Sequence, residues 1–509
     1  MSVIDELLST APQVFRRLGI DRPMPLAALR ERMTVNAKEL ETAHELITTT
    51  ELRLATPAEK RATIFHPVVC TRDRSRITAE QFRDKLEQFG KNKGLYEQGR
   101  YFTQIANASM IEKLLAASRR WVPSQSGAML DGVTISVKDL MYVGGFRRTG
   151  GTGMENLPAA TEDCASIARL RVAGAAVMGM ANLHELAFGI TSANPHFGSV
   201  VNPLDSSLIP GGSSGGSAAG VAAGAVDVSI GTDTGGSVRI PAACCGVMGF
   251  KPTYGSVPLD GLMKLSPTLD HIGPIGRDVD LISEVFSALS GDKPKAPQII
   301  HKFSDIRIGI PDSYFWDHTE PVVTQHVKNA LAVLEKLGAT VVSIKLPYIE
   351  YSGALQFIIS SYEAAKGHSK ILLERPDCLG EDVRVRLEMA TLIPAAWYSK
   401  AMGLLQIFRM SIGSVAESVD FILTPTLRVP PPRVGQSTIQ IGTTTFPLHP
   451  GLSGLTAPFS LLGYPTISMV CGWTEDRRPV SMQISAAPGR DWSVLALAKT
   501  LNKEYLGPG

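Results

Sequence analysis

Gly211-Gly-Ser-Ser-Gly-Gly-Ser217 runs into Ala218-Ala-Gly-Val-Ala-Ala-Gly-Ala-Val226, and Val226-Asp-Val-Ser-Ile230 leads on to Gly231-Thr-Asp-Thr-Gly-Gly-Ser237-Val-Arg239. The glycines of the first loop permit positive φ and close backbone approach. The segment after it has small, mostly apolar residues on every side, so as a helix it is expected to be fully buried. Val226–Ile230 alternates apolar and polar residues, the period of a strand. Three readings of the first loop stand side by side. A phosphate cradle is one, although the Walker pattern needs Gly-Lys-Ser/Thr, which is absent. A nucleophile elbow is another, since Gly211-Gly-Ser213-Ser-Gly215 fits G-x-S-x-G, but Asn202–Pro210 makes a poor strand to precede it. The third is a loop that holds serine hydroxyls inside a site. In the second loop, successive N–H groups around Gly235, Gly236 and Ser237 would suit an oxyanion, or the loop is a glycine turn with a capping serine.

Upstream, Val133, Ile135 and Val137 alternate with Thr134, Ser136 and Lys138, a strand whose polar face ends on a lysine. Such a lysine is ordinarily a solvated charge; burial would depress its pKa enough to make it a base. Downstream, a strand at Ile306–Ile310, a helix from Pro321 to Leu337 closed by Gly338, and a strand at Val341–Ile344 form one unit. Further strands are expected at Phe421–Thr424, Thr466–Val470 and Val480–Ile484. The alternation predicts an α/β fold around a large sheet.

Residues 1–80 differ in texture, being charged, poor in glycine and helical in pattern, and read as a small helical N-terminal appendage to a main domain over 81–509. Leu26, Leu29 and Met33 sit at helical spacing, and Asn36-Ala-Lys-Glu39 predicts a capping box opening the next helix. Leu52–Leu54 and Ile64-Phe65 suggest a hairpin, which gives the segment a faint winged-helix outline. Packing on the main body or on a partner is favoured over DNA binding, for which a basic patch would be wanted. Residues 80–125 read as helical, with Phe82, Leu86, Phe89, Ile111, Leu114 and Leu115 inward.

Fifty basic and 48 acidic side chains leave a net charge of +2, which argues for neither a nucleic acid nor a membrane surface as partner. Six cysteines, at 70, 164, 244, 245, 378 and 471, form no metal-ligand spacing, and no HExxH motif occurs, so neither metal nor cofactor is expected. The N-terminus lacks a signal-peptide core and no apolar run reaches 18 residues, so a soluble cytoplasmic protein is expected.

The run from Leu183 to Asp278, 96 residues (278 − 183 + 1), resembles the amidase signature family almost end to end. Asn202-Pro203, GGSSGGSAA, GTDTGGSVRIPA, GFKPTYG (249–255) and Asp270-His271-Ile-Gly-Pro274 carry the likeness, with Val-Lys-Asp upstream and Leu423-Thr-Pro-Thr426 downstream. The resemblance weakens after 280 and is essentially absent before about 80. It implies the amidase signature fold, a large mixed sheet with helices on both faces. It also implies a hydrolase that cleaves the C–N amide bond of a small molecule through a Ser–Ser–Lys triad. Carried over residue by residue, Ser237 is the nucleophile, Ser213 a bridging serine on a cis peptide, and Lys138 the base. The N–H groups of Thr234, Gly235, Gly236 and Ser237 would hold the oxyanion, with Ser214 and Arg239 in support. The family is often homodimeric.

Within that resemblance, Cys244 and Cys245 are expected behind the site, and His271 and Glu185 are expected to be structural anchors. Some positions depart from the family's habit. Arg148-Thr149, after Arg147, stands where two threonines are common; these arginines either attract an anionic substrate group or pair with a carboxylate on the surface, the latter being favoured. Ser460 replaces a frequent asparagine, and Arg477-Arg478-Pro479 replaces Gly-Leu-Pro. Met141, Tyr142, Ile190, Phe357, Tyr362 and Phe459 are the candidate pocket residues. A glutamine-dependent transamidation subunit is an alternative, but the Ser-Asn-Leu-x-Arg-Tyr-Asp-Gly stretch usual in that branch is missing between 345 and 410, where Arg375-Pro376 and Val383-Arg-Val-Arg386 resemble the hydrolases. A third reading is an acyl-transferring partner protein that docks a carrier through its N-terminal region.

Overall fold

The computed structural model describes residues 2–49, 52–56, 69–70, 78–118, 128–291, 296–297 and 299–506. Eleven strands form one sheet: β1 (Phe102–Ile105), β2 (Thr134–Lys138), β3 (Ala176–Ala181), β4 (Val228–Asp233), β5 (Met248–Lys251), β6 (His271–Gly276), β7 (Arg307–Pro311), β8 (Thr340–Ile344), β9 (Phe421–Pro425), β10 (Thr466–Trp473) and β11 (Pro479–Ser485). Their order is β8-β7-β9-β11-β10-β5-β6-β4-β2-β3-β1. β2 runs parallel to β3 and β4, whereas β6 runs antiparallel to β4 and β5, so the sheet is mixed. Val177 on β3 joins a core with the helices Ala165–Val172 and Val279–Ser290, while Ala176 and Met178 beside it pack with the helix Gly215–Ala222. Helices therefore cover both faces, the α/β architecture expected from the alternation.

The parallel pairing of β2 and β4 is what positions the site. Val137 lies opposite Ile230, so both strands deliver their C-terminal ends, Lys138 and Gly231–Asp233, to the same edge of the sheet. In open α/β sheets ligands gather at such carboxyl ends. The expected apolar and polar faces of β2 exist, but both are buried: Ser136 Oγ donates to Ser229 Oγ at 2.7 Å and Thr134 Oγ1 to Asp227 at 2.9 Å. The helix Gly215–Ala222 is buried except for its last residue, Ala222, and its small side chains let β-strand and loop backbones approach. A Cβ on Gly216 would lie 2.4 Å from the Asn182 carbonyl oxygen, so no larger residue fits there.

Three N-terminal helices, α1 (Val3–Leu18), α2 (Leu26–Val35) and α3 (Ala37–Thr48), pack on the body. α2 lies against the helix Glu381–Ala390 and α3 against Ser352–Gly367. Leu29, Met33 and Leu40 are buried in the same core as the sheet, a burial worth about 1.5–3 kcal/mol per side chain. Leu26 of the expected stripe is exposed, because α2 buries only the Leu29 and Met33 side. The capping box at Asn36 and Glu39 does not form. Asn36 holds φ −105° and ψ +20°, not extended backbone, and its side chain turns back to donate to the Arg32 carbonyl. Leu52–Leu54 form no strand, and Ile64-Phe65 lie outside the described residues. Residues 80–125 are not wholly helical: β1 interrupts them as an edge strand, pairing antiparallel with β3. Phe82, Leu86 and Phe89 are buried, and Ile111, Leu114 and Leu115 are partly so. Among the described residues no helix is long and apolar enough to cross a membrane.

Candidate active site

Lys138, at the end of β2, is fully buried and its Nζ lies 2.7 Å from Ser213 Oγ and 2.8 Å from Thr232 Oγ1. Burial lowers its pKa to about 7, against the smaller opposing pull of Asp270 and Asp233. Neither acid is hydrogen-bonded to it among the described residues; two hydroxyls are its neighbours. A lysine so placed exchanges a proton with hydroxyls at neutral pH.

Ser213 follows a cis Gly212–Ser213 peptide. Its carbonyl accepts from the His184 N–H at 3.0 Å and from Ser192 Oγ at 3.3 Å, which fixes the loop against its neighbours. Ser214 ties the two serine loops together: its N–H donates to the Ser237 carbonyl at 3.3 Å, and its hydroxyl donates to the Thr232 carbonyl at 3.2 Å. Ser237, only partly buried, lines a cavity of about 60 Å³, and its hydroxyl has no hydrogen-bond partner among the described residues.

Thr234, Gly235 and Ser237 all line that cavity, and their N–H groups have no backbone partner among the described residues. Gly236 differs from the sequence expectation. Its N–H donates to Asp233 Oδ1 at 2.8 Å, so it is committed to holding the loop. It also sits at φ +135°, where a Cβ would meet Thr456 Oγ1 at 2.2 Å. Only glycine satisfies both demands.

Behind the loop, Arg239 clamps Asp233 with Nε and Nη2, both at 3.0 Å, and reaches Ser460 Oγ at 2.8 Å and Gln483 Oε1 at 3.0 Å. Burial works against the charged form of Asp233, yet the guanidinium overrides it and holds the carboxyl well below its ordinary range. Ser460 Oγ in turn donates to Asp233 Oδ1 at 3.0 Å. Thr234 Oγ1 donates to Asp270 at 2.6 Å, and Asp270 also accepts from the Leu265 and Ser266 N–H groups. His271 Nδ1 lies 2.7 Å from the Leu269 carbonyl, and Glu185 accepts from the Gly380 N–H at 2.9 Å, both structural contacts. Cys244 and Cys245 are buried, and burial pushes the Cys244 thiol up to about 12, far from a reactive thiolate.

Of the six candidate pocket residues, Ile190 and Phe357 line the cavity. The other four lie outside its lining. Met141 is buried in the core, Tyr142 lies on the surface beneath the Arg148 guanidinium, Tyr362 stacks on Tyr398 at 4.4 Å, and Phe459 packs against Phe315 at 5.8 Å. Arg148 thus stacks on Tyr142 and donates to the Gly261 carbonyl, in place of the expected carboxylate pair. Sequence reasoning missed Thr232, whose role follows from the β2–β4 register. It also placed none of Asn36, Gln356, Arg386 and His449 at the site, although they line the cavity from distant segments. Arg386 stood in the noted Val-Arg-Val-Arg run, but nothing local marks it as facing a cavity.

Comparison with known proteins bears on the family and the fold. The Amidase family profile matches residues 99–495. A glutamyl-tRNA(Gln) amidotransferase subunit of Methanospirillum hungatei JF-1 is 34% identical over 389 residues, covering 70% of this chain and 88% of its own. The AtzE subunit of 1-carboxybiuret hydrolase from Pseudomonas sp. (strain ADP) is 32% identical, over 73% of this chain and 84% of its own. A crystal structure described as amidase superposes with a TM-score of 0.77 at 32% identity, covering 84% of this chain and 96% of that one. The chain therefore belongs to the amidase signature family, enzymes that act on carbon–nitrogen bonds.

Proposed function

We propose that this protein is an amidohydrolase that cleaves a small-molecule amide through an acyl-enzyme on Ser237. The observation that carries the reading is the buried Lys138, 2.7 Å from Ser213 and with its pKa lowered to about 7. In this reading Ser237 Oγ attacks the carbonyl carbon, its proton passes to Ser213, and the Ser213 proton passes to neutral Lys138. The unpartnered Ser237 hydroxyl joins the relay when substrate fills the cavity, since such bonds tighten in the bound complex. The N–H groups of Thr234, Gly235 and Ser237 receive the developing oxyanion. On collapse the C–N bond breaks, and the proton returns through Ser213 to the leaving nitrogen. Water then adds to the ester by the same route, giving a carboxylate and free Ser237.

Among the described residues Arg386 is the one arginine or lysine on the cavity wall, which favours an amide bearing an anionic group. The likeness to an amidotransferase subunit supports a second reading, in which the released ammonia passes to a partner enzyme. Ammonia release from a panel of carboxylate-bearing amides, by the chain alone, tests the proposal. Turnover abolished by Ser237→Ala is expected; turnover retained by that variant overturns the nucleophile, and activity confined to a complex favours the second reading.

A further inference from the structure

Asparagine at a helix start ordinarily spends its side-chain oxygen on the N–H two or three residues on, and a glutamate three residues later returns the favour. At the start of α3 neither bond is made. Asn36 Nδ2 donates to the Arg32 carbonyl at 2.9 Å, and Oδ1 has no hydrogen-bond partner among the described residues, although Asn36 is only 7% exposed. Glu39 Oε2 is buried and without a partner among the described residues. Asn36 lines a cavity, so its unpartnered Oδ1 is an acceptor that a bound molecule can supply with a donor.

What Asn36 faces is the cavity that holds Ser237. It also lines two adjoining cavities, of about 160 and 740 Å³. The reactive cavity and the 160 Å³ one share Asn36, Gln356, Phe357, His449 and Ser453, and Glu39 lines the latter. The α2–α3 junction is pinned in place there. The Met24 N–H donates to Glu388 at 2.6 Å, Arg32 pairs with Asp382, and Asp382 also holds Arg386 at 3.0 Å. Asn36 and Glu39 lie upstream of the 99–495 stretch that matches the family, whereas Gln356, Phe357, His449 and Ser453 lie within it.

We propose that Asn36 is a specificity-determining residue whose Oδ1 accepts a hydrogen bond from an N–H group at the end of the bound amide remote from the bond cleaved. The substrate class is a small amide with a second N–H donor, such as a primary carboxamide or a urea. This rests on Ser237 being the nucleophile, and the test separates the two. Two fluorophosphonates are compared on the full-length chain, one with a tail ending in a primary carboxamide and one ending in its N,N-dimethyl counterpart, with the adduct followed by intact mass. Wild type is expected to react about tenfold faster or more with the carboxamide reagent, because the dimethyl tail leaves Oδ1 unpaired. Asn36→Ala should erase that preference; because it also removes the Nδ2 bond to the Arg32 carbonyl, the ratio of the two rates, and not either rate alone, is the readout. Asn36→Asp, which keeps an acceptor, should retain the preference, and Asn36→Leu serves as a second acceptor-free variant if the alanine variant folds poorly. An equal preference in wild type and the acceptor-free variants, or none in wild type, overturns the inference while leaving Ser237 reactive. No adduct with either reagent overturns the nucleophile, and this inference with it.

Discussion

Buried, with hydroxyls as its hydrogen-bond partners among the described residues, Lys138 has its pKa lowered to about 7, where an ordinary lysine holds its proton to about 10.5. The base form is needed for acylation, so the rate should rise with pH through about 7 and level off above it. The same shift has a stability sign. Between about 7 and 10.5 the unfolded chain binds the proton and the folded chain does not, so stability rises with pH across that window. Lys138→Met is expected to acylate orders of magnitude more slowly while losing this pH dependence, as denaturant unfolding at pH 7 and pH 9.5 would reveal. A near-wild-type acylation rate would remove Lys138 from the relay. The lysine was legible because alternation placed it on a strand end; Thr232 was not, since only the pairing of β2 with β4 brings it to the ammonium.

At the scale of elements, the loop that carries Ser237 depends on the Arg239–Asp233 pair, both of whose side chains are fully buried. Removing one partner of a buried, hydrogen-bonded pair costs about 3–5 kcal/mol, because the other charge is left uncompensated. Arg239→Met should therefore lose stability on that order in denaturant unfolding, together with reactivity at Ser237. A variant as stable as wild type would show that the clamp is dispensable. Asp233 is held low, so its contribution is present above the ordinary carboxylate range and is lost only as pH falls well below it. Strands such as β7, β9 and β11 were legible from short apolar runs. β1 was hidden in a helical neighbourhood because a four-residue edge strand gives too little pattern. The capping box at Asn36 did not form because the same residue closes α2, with its side chain turned back to the Arg32 carbonyl.

For the whole molecule, the strand order could not be read from sequence, since β10 and β11 pair between β5 and β9 across more than two hundred residues of chain for the β5–β10 contact. The family-defining core was legible because its loops repeat a dense pattern of glycines and serines. The N-terminal segment was not, as its hydrophobic spacing fits a free appendage and an integral wall equally well. Leu29, Met33 and Leu40 share the core of the body, so deleting residues 1–48 should expose that surface. Aggregation or a large loss of stability is expected; a soluble, fully reactive truncation would show a dispensable module. The central claim is an activated Ser237, and intact-mass analysis after incubation with a simple fluorophosphonate tests it most directly. One adduct on the wild type, absent from Ser237→Ala, is the predicted result, and an adduct of equal yield on both proteins would contradict it.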